Sequence, residues 1–506
     1  LKGPSLFFGA LALSLCTLMQ VLDYSIANVS IPYIAGDLGV SVDNGTWVIT
    51  MFSVGNAIAL PLTGWLVSRF GSIKTMVSSA ALFTLFSWLC GASISIQMLI
   101  FMRFIQGVAA GPLIPLSQSL MIMSFKKEKK NFALAIWSMI AVVGPIAGPI
   151  LGGWITFDYS WPWIFYINFP IGLLCVILIW HIYKTRETTT IKTSVDWIGI
   201  VLLAIGISTF QIVLDKGQDL DWWRSSVIRI LSVISIVSLI YLVIWELKEK
   251  NPIMDLFLFK NWNFSIGTIL VSISYALLFG AIVITPLWLQ SYMGYTALLA
   301  GLAVSPMGIL PFLTVLLVAK IMDRVKLTYL VAFTFLSFGS AFFLFTTFTT
   351  DVSLQVVATS RLLLGLGLCT WLAPLTVLSF TTIPSEKLAS GQGLFHFFRI
   401  FFGGVGVSVF VTIWERRATL HHSHLADSIN SYNPISKNIF YLLRKFQITG
   451  KSALQFVDDM TWNQSFMLST NDVFWVGGWA FVLFFFLAFS FHTKKKEVLN
   501  LQAHDV

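Results

Sequence analysis

The sequence predicts an all-α polytopic membrane protein, and three observations carry that prediction. Hydrophobic residues make up 57% of the 506 and charged residues only 11%, where a soluble domain carries about 25% charged residues. Mean hydropathy is +0.82, and apolar runs long enough to cross a bilayer recur to the end of the chain. The basic residues alternate between the connections. Twenty fall on one set, including Lys126, Lys127, Lys129 and Lys130, whereas the short opposite loops hold only Lys216, Arg224 and Arg229. This asymmetry places the N-terminus and C-terminus on the cytoplasmic side. It also assigns the net charge of +9 to membrane topology and excludes nucleic-acid binding.

Charge-free runs bounded by loop charges give fourteen candidate helices. The first, 6–31, follows Lys2 and contains one carboxylate, Asp23. The second, 45–67, lies between Asp43 and Arg69, and the third, 75–96, opens after Lys74. The fourth, 98–123, holds Arg103 and ends at the basic run from Lys126. The fifth, 131–156, stops before Asp158, and the sixth, 163–183, before Lys184. A pair at 197–214 and 227–246 follows. The remaining six are 263–289, 297–319, 327–348, 352–382, 388–414 and 473–492. The first two of these share the charge-free run Asn261–Ala319, whose hairpin is expected at Gln290–Thr296 with Gly294 as the breaker.

An internal repeat organises these helices. Arg103-Phe-Ile-Gln106-Gly107 with Pro115 recurs as Arg361-Leu-Leu-Leu-Gly365 with Pro374. Gly64 to Arg69 closes the second helix, and Lys320 to Arg324 closes the tenth. The expected organisation is a six-helix half (1–190), two additional helices with linkers (191–260) and a second six-helix half (261–506). Two such halves around a cavity is a secondary-transporter plan. A long polar loop at 415–472 is expected to hold short amphipathic helices at 440–445 and 453–459. It reads as a docking element or as a solvated cap.

The chemistry centres on Asp23. A carboxylate inside a span costs roughly 2.5–3.5 kcal/mol on insertion scales, so it reads as functional, with a snorkelling side chain as the alternative. Helical spacing puts Gln20, Asp23, Ala27 and Ser30 on one face. Arg103, two turns inside the fourth helix, is the natural counter-ion, or else a tether to backbone carbonyls. Gly144, Gly148, Gly152 and Gly153 form a small-residue stripe, with Pro145 and Pro149 bending the span. It reads as a hinge between the halves or as tight packing. Arg399, with His396 one turn away, adds intramembrane cations that favour anionic or neutral lipophilic ligands. Trp137, Trp288 and Trp371 are candidate cavity aromatics.

In these stretches the chain resembles the fourteen-span drug:proton antiporters of the major facilitator superfamily. Leu22-Asp23-Tyr-Ser-Ile-Ala-Asn28-Val-Ser-Ile-Pro32 is similar to their first-helix motif. Arg103 to Gly107 is similar to the proton-coupling motif, and Gly144-Pro-Ile-Ala-Gly148-Pro149-Ile-Leu-Gly152-Gly153 to the antiporter motif. Gly64, Arg69, Gly71 and Lys74 match the cytoplasmic gate motif, although Ser68 stands where the family has Asp. Asp323 and Arg324 keep the acidic–basic pair in the second half. Gln20, Asp23, Asn28, Gln106, His396 and Arg399 are the expected cavity residues. The resemblance implies the major facilitator fold and proton coupling through Asp23 and Arg103. It implies a multidrug exporter of hydrophobic, weakly acidic or neutral compounds in a bacterial inner membrane. Implied partners are drugs, protons, lipid, a periplasmic membrane-fusion adaptor and an outer-membrane channel. The alternative is a stand-alone exporter of lipophilic cations or fatty acids.

No enzyme, cofactor or metal site is expected. Gly450-Lys-Ser452 lacks the first glycine of a P-loop and a preceding strand. His421, His422 and His424 lack a clear fourth ligand. Cys16, Cys90, Cys175 and Cys369 lie in apolar runs and read as small buried hydrophobes.

Overall fold

The computed structural model describes residues 3–126, 129–190, 196–217, 220–250, 252–384, 387–430 and 432–492. The first part comprises α1 (Gly3–Asp37), α2 (Val42–Gly45), α3 (Trp47–Phe70), α4 (Ser72–Gly91), α5 (Ile96–Ala110), α6 (Leu113–Ser124), α7 (Lys130–Asp158), α8 (Trp163–Tyr166) and α9 (Asn168–Tyr183). An antiparallel pair follows, α10 (Trp197–Lys216) and α11 (Ser226–Glu246). The last part comprises α12 (Trp262–Ser291), α13 (Ala297–Val304), α14 (Pro306–Arg324), α15 (Leu327–Phe345), α16 (Leu354–Cys369), α17 (Leu372–Phe380), α18 (Leu388–Asp427), α19 (Pro434–Lys445) and α20 (Lys451–Leu487). Helix ends follow local chemistry. Ser95, Asp196, Asn261, Thr296, Ser353 and Asn433 each accept a backbone N–H from the first turn of the helix that they open, which satisfies an otherwise orphaned donor.

Among the described residues twelve helices are long and apolar enough to span a membrane, or thirteen if the bent pair within Pro306–Arg324 is one span. The expected count of fourteen is therefore not reached. The fifth expected span coincides with α7, a continuous 29-residue helix that is not among the twelve. The spans bearing Arg103 and Arg361 are interrupted at corresponding places: Gly111 and Pro112 separate α5 from α6, and Thr370 and Trp371 separate α16 from α17. Gly294 has φ +70° and lies in the turn between α12 and α13, where such a dihedral favours glycine.

The segment 415–472 is not a loop. Helix α18 runs unbroken to Asp427 and α20 begins at Lys451, so the region is a helical hairpin capped by α19. The second expected short helix, 453–459, is the first part of α20. Glu415, Arg417 and Asp472 interrupt the apolar pattern, but their propensity is compatible with helix. Arg417 and His421 both bond Asp472 across the hairpin, each at 2.7 Å.

The bundle has two distinct ends. At the basic end α3 turns into α4 at Gly71, and Lys387 pairs with Asp255 at 2.6 Å. At the opposite, cap end stands the α18–α20 hairpin. Helices from the two parts meet along α3 with α18 and α7 with α14. The α3–α18 contact is close toward the basic end, where a methyl group on Gly64 would lie 2.9 Å from Ser390 Cα and one on Gly393 would lie 2.9 Å from Leu60 O.

Candidate functional site

Two glycines set the crossing that places Arg103. A methyl group on Gly107 would overlap Phe52 O, and one on Gly55 would overlap Phe104 O. The α3 and α5 backbones therefore touch, a close approach that larger residues prevent. Arg103 is thereby carried to the first turn of α3, where its Nε donates to Val48 O at 3.2 Å. Its Nη1 donates to Asp23 Oδ2 at 2.5 Å and to Gln106 Oε1 at 2.8 Å. The other carboxylate oxygen, Asp23 Oδ1, accepts from Gln106 Nε2 at 3.1 Å and Asn168 Nδ2 at 2.9 Å. The guanidinium lies 4.2 Å above the Phe52 ring and 5.3 Å from Phe165. Asp23 is 1% exposed and Arg103 0%, so the pair is removed from solvent. Such a pair persists only when its spare lone pairs are hydrogen-bonded, as those of Asp23 are here.

Asn168 had no place among the sequence candidates. Its only signal is a polar residue at the start of an otherwise apolar span. It also donates to Ser87 Oγ at 3.0 Å, so it ties α9 and α4 to the carboxylate on α1.

Beside this pair, between the two parts, is a small, partly open cavity. Gln20 and Tyr24 of α1, Phe52, Ser53 and Asn56 of α3, Tyr275 and Phe279 of α12, and Arg399 and Gly403 of α18 are among its walls. The Arg399 guanidinium sits 5.0 Å from the Tyr275 ring, and its Nε has no partner; neither does Gln20 Oε1 nor Asn56 Oδ1. This is an apolar chamber with a few convergent polar atoms, the form of a small-molecule site.

Of the expected cavity residues, Gln20 and Arg399 line the chamber. Asp23 and Gln106 lie behind its wall, next to Tyr24 and Phe52. His396 does not line it either: its Nε2 donates to Gln118 Oε1 at 2.7 Å, with Ser119 donating to Gln392 nearby. These are buried bonds between α6 and α18 on the basic side of the chamber. The Asn28 and Pro149 side chains lie outside the described residues. Trp137 is in the core, donating to Thr17 and Ser117. Trp371 stacks on Tyr275 from outside the wall at 5.9 Å. Neither these two nor Trp288 is among the lining residues. The aromatics that do line it are Tyr24, Phe52, Tyr275 and Phe279.

The glycine stripe packs on α1 and not between the halves. A methyl group on Gly144 would lie 3.0 Å from Val21, one on Gly148 would collide with Ser25, and one on Gly152 would lie 2.8 Å from Ile26 O. The α7 stripe thus presses on the helix that bears Asp23, and Gly153 is half-buried beside it.

At the basic end, the position left open by Ser68 is served from elsewhere. Ser68 merely donates to Gly64 O at 3.0 Å. Glu187 instead accepts from the Ile73 and Lys74 amides at 2.9 and 3.0 Å, capping α4 where a carboxylate is favoured by the helix dipole. Gly71, with φ +91°, leaves room for that carboxylate. Asp323 accepts from Asn131 Nδ2 at 2.7 Å, joining α14 to α7. Among the described residues Arg69, Lys74 and Arg324 make no ion pair.

The second half repeats the architecture without the acid. Arg361 is fully buried, bonds Thr285 and stacks 3.9 Å from the Phe345 ring. A methyl group on Gly365 would lie 2.8 Å from Met307 O, the counterpart of Gly107 against Phe52.

A multi-pass helical bundle with a central chamber between two repeated parts, and with a buried acid–base pair at its wall, defines a secondary transporter. The pattern of the Major Facilitator Superfamily matches residues 13–407, and the chain belongs to that superfamily, in its EmrB-type branch. It is 43% identical over 96% of its length to the multidrug export protein EmrB of Escherichia coli, covering 94% of that protein. It is 41% identical to the fatty acid resistance protein FarB of Neisseria gonorrhoeae, covering 96% of this chain and 95% of that one. Among solved structures it resembles the human organic anion transporter TETRAN, with 13% identity and TM-score 0.57 over 96% of this chain and 100% of that one. It also resembles the proton:xylose symporter XylE, with 14% identity and TM-score 0.57 over 97% and 96% of the respective chains. The fold is the major facilitator fold, and the protein is a multi-pass membrane transporter, not an enzyme.

Proposed function

We propose that this protein exports hydrophobic compounds, weakly acidic or neutral, in exchange for protons by alternating access. The observation that carries the reading is the buried Asp23–Arg103 pair one side chain away from the chamber. Asp23 is the group able to take up a proton. When it does so, Arg103 loses its anionic partner, and the α1, α3, α5 and α9 segments joined by the network repack around an uncompensated cation. Proton binding at Asp23 and ligand binding against Tyr24 and Phe52 then become competing events on the same helices.

The similarity to EmrB, named as a multidrug export protein, supports the substrate range. FarB, named for fatty acid resistance, supports the amphiphilic acid as the second substrate reading, since Arg399 offers a cation among aromatic walls. We place the basic end in the cytoplasm, with both termini there and the cap end in the periplasm of a bacterial inner membrane. The α18–α20 hairpin is then positioned for a membrane-fusion adaptor (EmrA-like), itself leading to an outer-membrane channel (TolC-like). Exposed Tyr432, Ile435 and Phe446 on and beside α19 support a contact surface there.

The test is proton release from the detergent-purified protein on addition of a lipophilic weak-acid drug. Release in wild type that vanishes in folded Asp23→Asn is the expected result. Release that persists in the variant moves coupling away from Asp23. Binding of drugs without any release in either protein overturns the antiport reading.

A further inference from the structure

Helix α10 belongs to neither repeated half, yet its last turns touch both. On one side Asp215 Oδ2 accepts from Thr50 Oγ1 of α3 at 2.6 Å, and Lys216 Nζ donates to Thr46 Oγ1 at 3.1 Å while lying 5.7 Å from the Trp47 ring. On the other side Gln211 lies against Gly404 of α18, where a methyl group would be 3.4 Å from its amide. One turn from there, Phe210 packs on Phe401 at 5.2 Å. Gln211 Nε2 also donates to Asp215 Oδ1 at 3.0 Å. The end of α10 thus spans α3 and α18 toward the cap end, behind the chamber wall formed by Ser53, Gly403 and Gly404.

The first turn of α3 is therefore held by two carboxylates. Asp23 reaches it through Arg103 and Val48 O; Asp215 reaches it directly through Thr50. We propose that Asp215 is a second proton-exchanging carboxylate of this transporter, and that its charge state sets how α10 holds α3 against α18 at the cap end of the chamber. Ionised, Asp215 accepts from both Thr50 and Gln211. Protonated, it carries one O–H and must donate it. Thr50 then turns its own hydroxyl to Thr46 O, which already lies 3.4 Å away, and the α10–α3 contact reverses polarity. A carboxyl group with only neutral hydrogen-bond partners facing it from another helix is suited to this exchange. The proposal rests on the proton-coupled reading above and adds a second proton site to it.

Among the described residues the surrounding charges are few. Lys216 is on the same helix and directed to Thr46. From α1 the nearest titratable group is Tyr24, whose hydroxyl bonds Ser53. The first turns of α3 present Thr46, Thr50 and Ser53 and no charge. From α18 the nearest charge is Arg399, five residues before Gly404. Arg229 of α11 and the adjoining Asp221 and Arg224 are exposed.

The experiment is an infrared titration of the purified, drug-free protein, following the carbonyl band of protonated carboxyl groups, in wild type, Asp215→Asn, Thr50→Val and Asp23→Asn. Loss of one titrating band in Asp215→Asn, and a displaced midpoint for the same band in Thr50→Val, is the expected result. Thr50→Val keeps the acid in place, so it reports even if Asp215→Asn folds poorly. A parallel pH profile of drug export in vesicles is expected to flatten in Asp215→Asn, with at least a threefold loss of its pH response. Superposable titrations of wild type and both α10–α3 variants overturn the proposal, as does an export profile unchanged in shape. If Asp23→Asn abolishes drug-driven proton release while the Asp215 band is absent throughout, the second site fails and the transport reading stands. If the Asp215 band titrates but no drug moves protons, the coupled reading fails on its own.

Discussion

Replacing Asp23 by asparagine offers three buried donors an acceptor that can satisfy only part of them. In the native site Arg103 Nη1 reaches Oδ2 at 2.5 Å, while Gln106 Nε2 and Asn168 Nδ2 reach Oδ1 at 3.1 and 2.9 Å. With the amide oxygen kept at the Oδ1 position, the new NH2 group faces the guanidinium. With the amide flipped, it faces two other amide nitrogens. Each unsatisfied buried donor costs about 1–3 kcal/mol, and removing one partner of a buried ion pair costs about 3–5 kcal/mol. The expected loss is therefore about 3–5 kcal/mol of unfolding free energy, read by reversible unfolding in mixed detergent micelles. Arg103→Met should cost a similar amount, because it leaves the carboxylate uncompensated. The double variant should cost less than the sum by at least about 2 kcal/mol, the coupling expected of contacting residues in one network. Single costs under about 1 kcal/mol, or strict additivity, would refute the reasoning.

Other perturbations test neighbouring parts of the structure. Gly148→Ala drives a methyl into Ser25 and to 3.1 Å from Ile26 N and should destabilise by about 1–3 kcal/mol. Gly301→Ala, whose nearest neighbour is Ile150 Cγ1 at 3.9 Å, should stay within about 0.5 kcal/mol. Glu187→Ala removes the acceptor of the α4 amides and should cost about 0.5–2 kcal/mol in the same unfolding assay. Arg399→Met should raise the KM for export of a carboxylate drug about tenfold, with a neutral drug little affected, as expected when a hydrogen bond to a charged group is lost. Gln118→Leu leaves His396 Nε2 without its acceptor. It should increase labelling of a single cysteine at Ser390 by a membrane-impermeant reagent applied from the basic side.

The spans were legible because bilayer crossing imposes length and apolarity on each segment, and thirteen of the fourteen expected helices begin within a few residues of their place. The exception is the last: the charge-rich sequence from Glu415 to Asp472 reads as a loop by hydropathy, yet hydropathy marks where a helix leaves lipid, not where it stops. Arg103 could be named from sequence as a counter-ion candidate for Asp23, because burying either charge alone is costly, but the direct pairing is a matter of geometry that only the fold supplies. Asn168 and Glu187 could not be assigned, since a neutral amide or a loop carboxylate carries no comparable penalty until its neighbours are known. The glycine stripe announced close approach but not the partner, because small residues specify distance and leave identity to topology. His396 is expected in the cavity together with Arg399, yet it bonds Gln118 instead. One helical turn was enough to move it from the chamber to the seam with α6.

The α18–α20 hairpin has a mechanical consequence. Forty residues of α18 and 37 of α20 make rods of about 60 and 55 Å, against a hydrocarbon core of about 30 Å. Helix α18 is continuous from the chamber wall to its far tip, since Arg399 and Gly403 stand on the same unbroken helix as Arg417 and His421. A rigid-body rotation of about 15° between the halves, acting on an arm of roughly 40 Å from the bilayer midplane, sweeps the tip through roughly 10 Å. The hairpin is in effect a lever that turns sub-helical adjustments around a bound molecule into a displacement wider than a helix radius, delivered well outside the membrane.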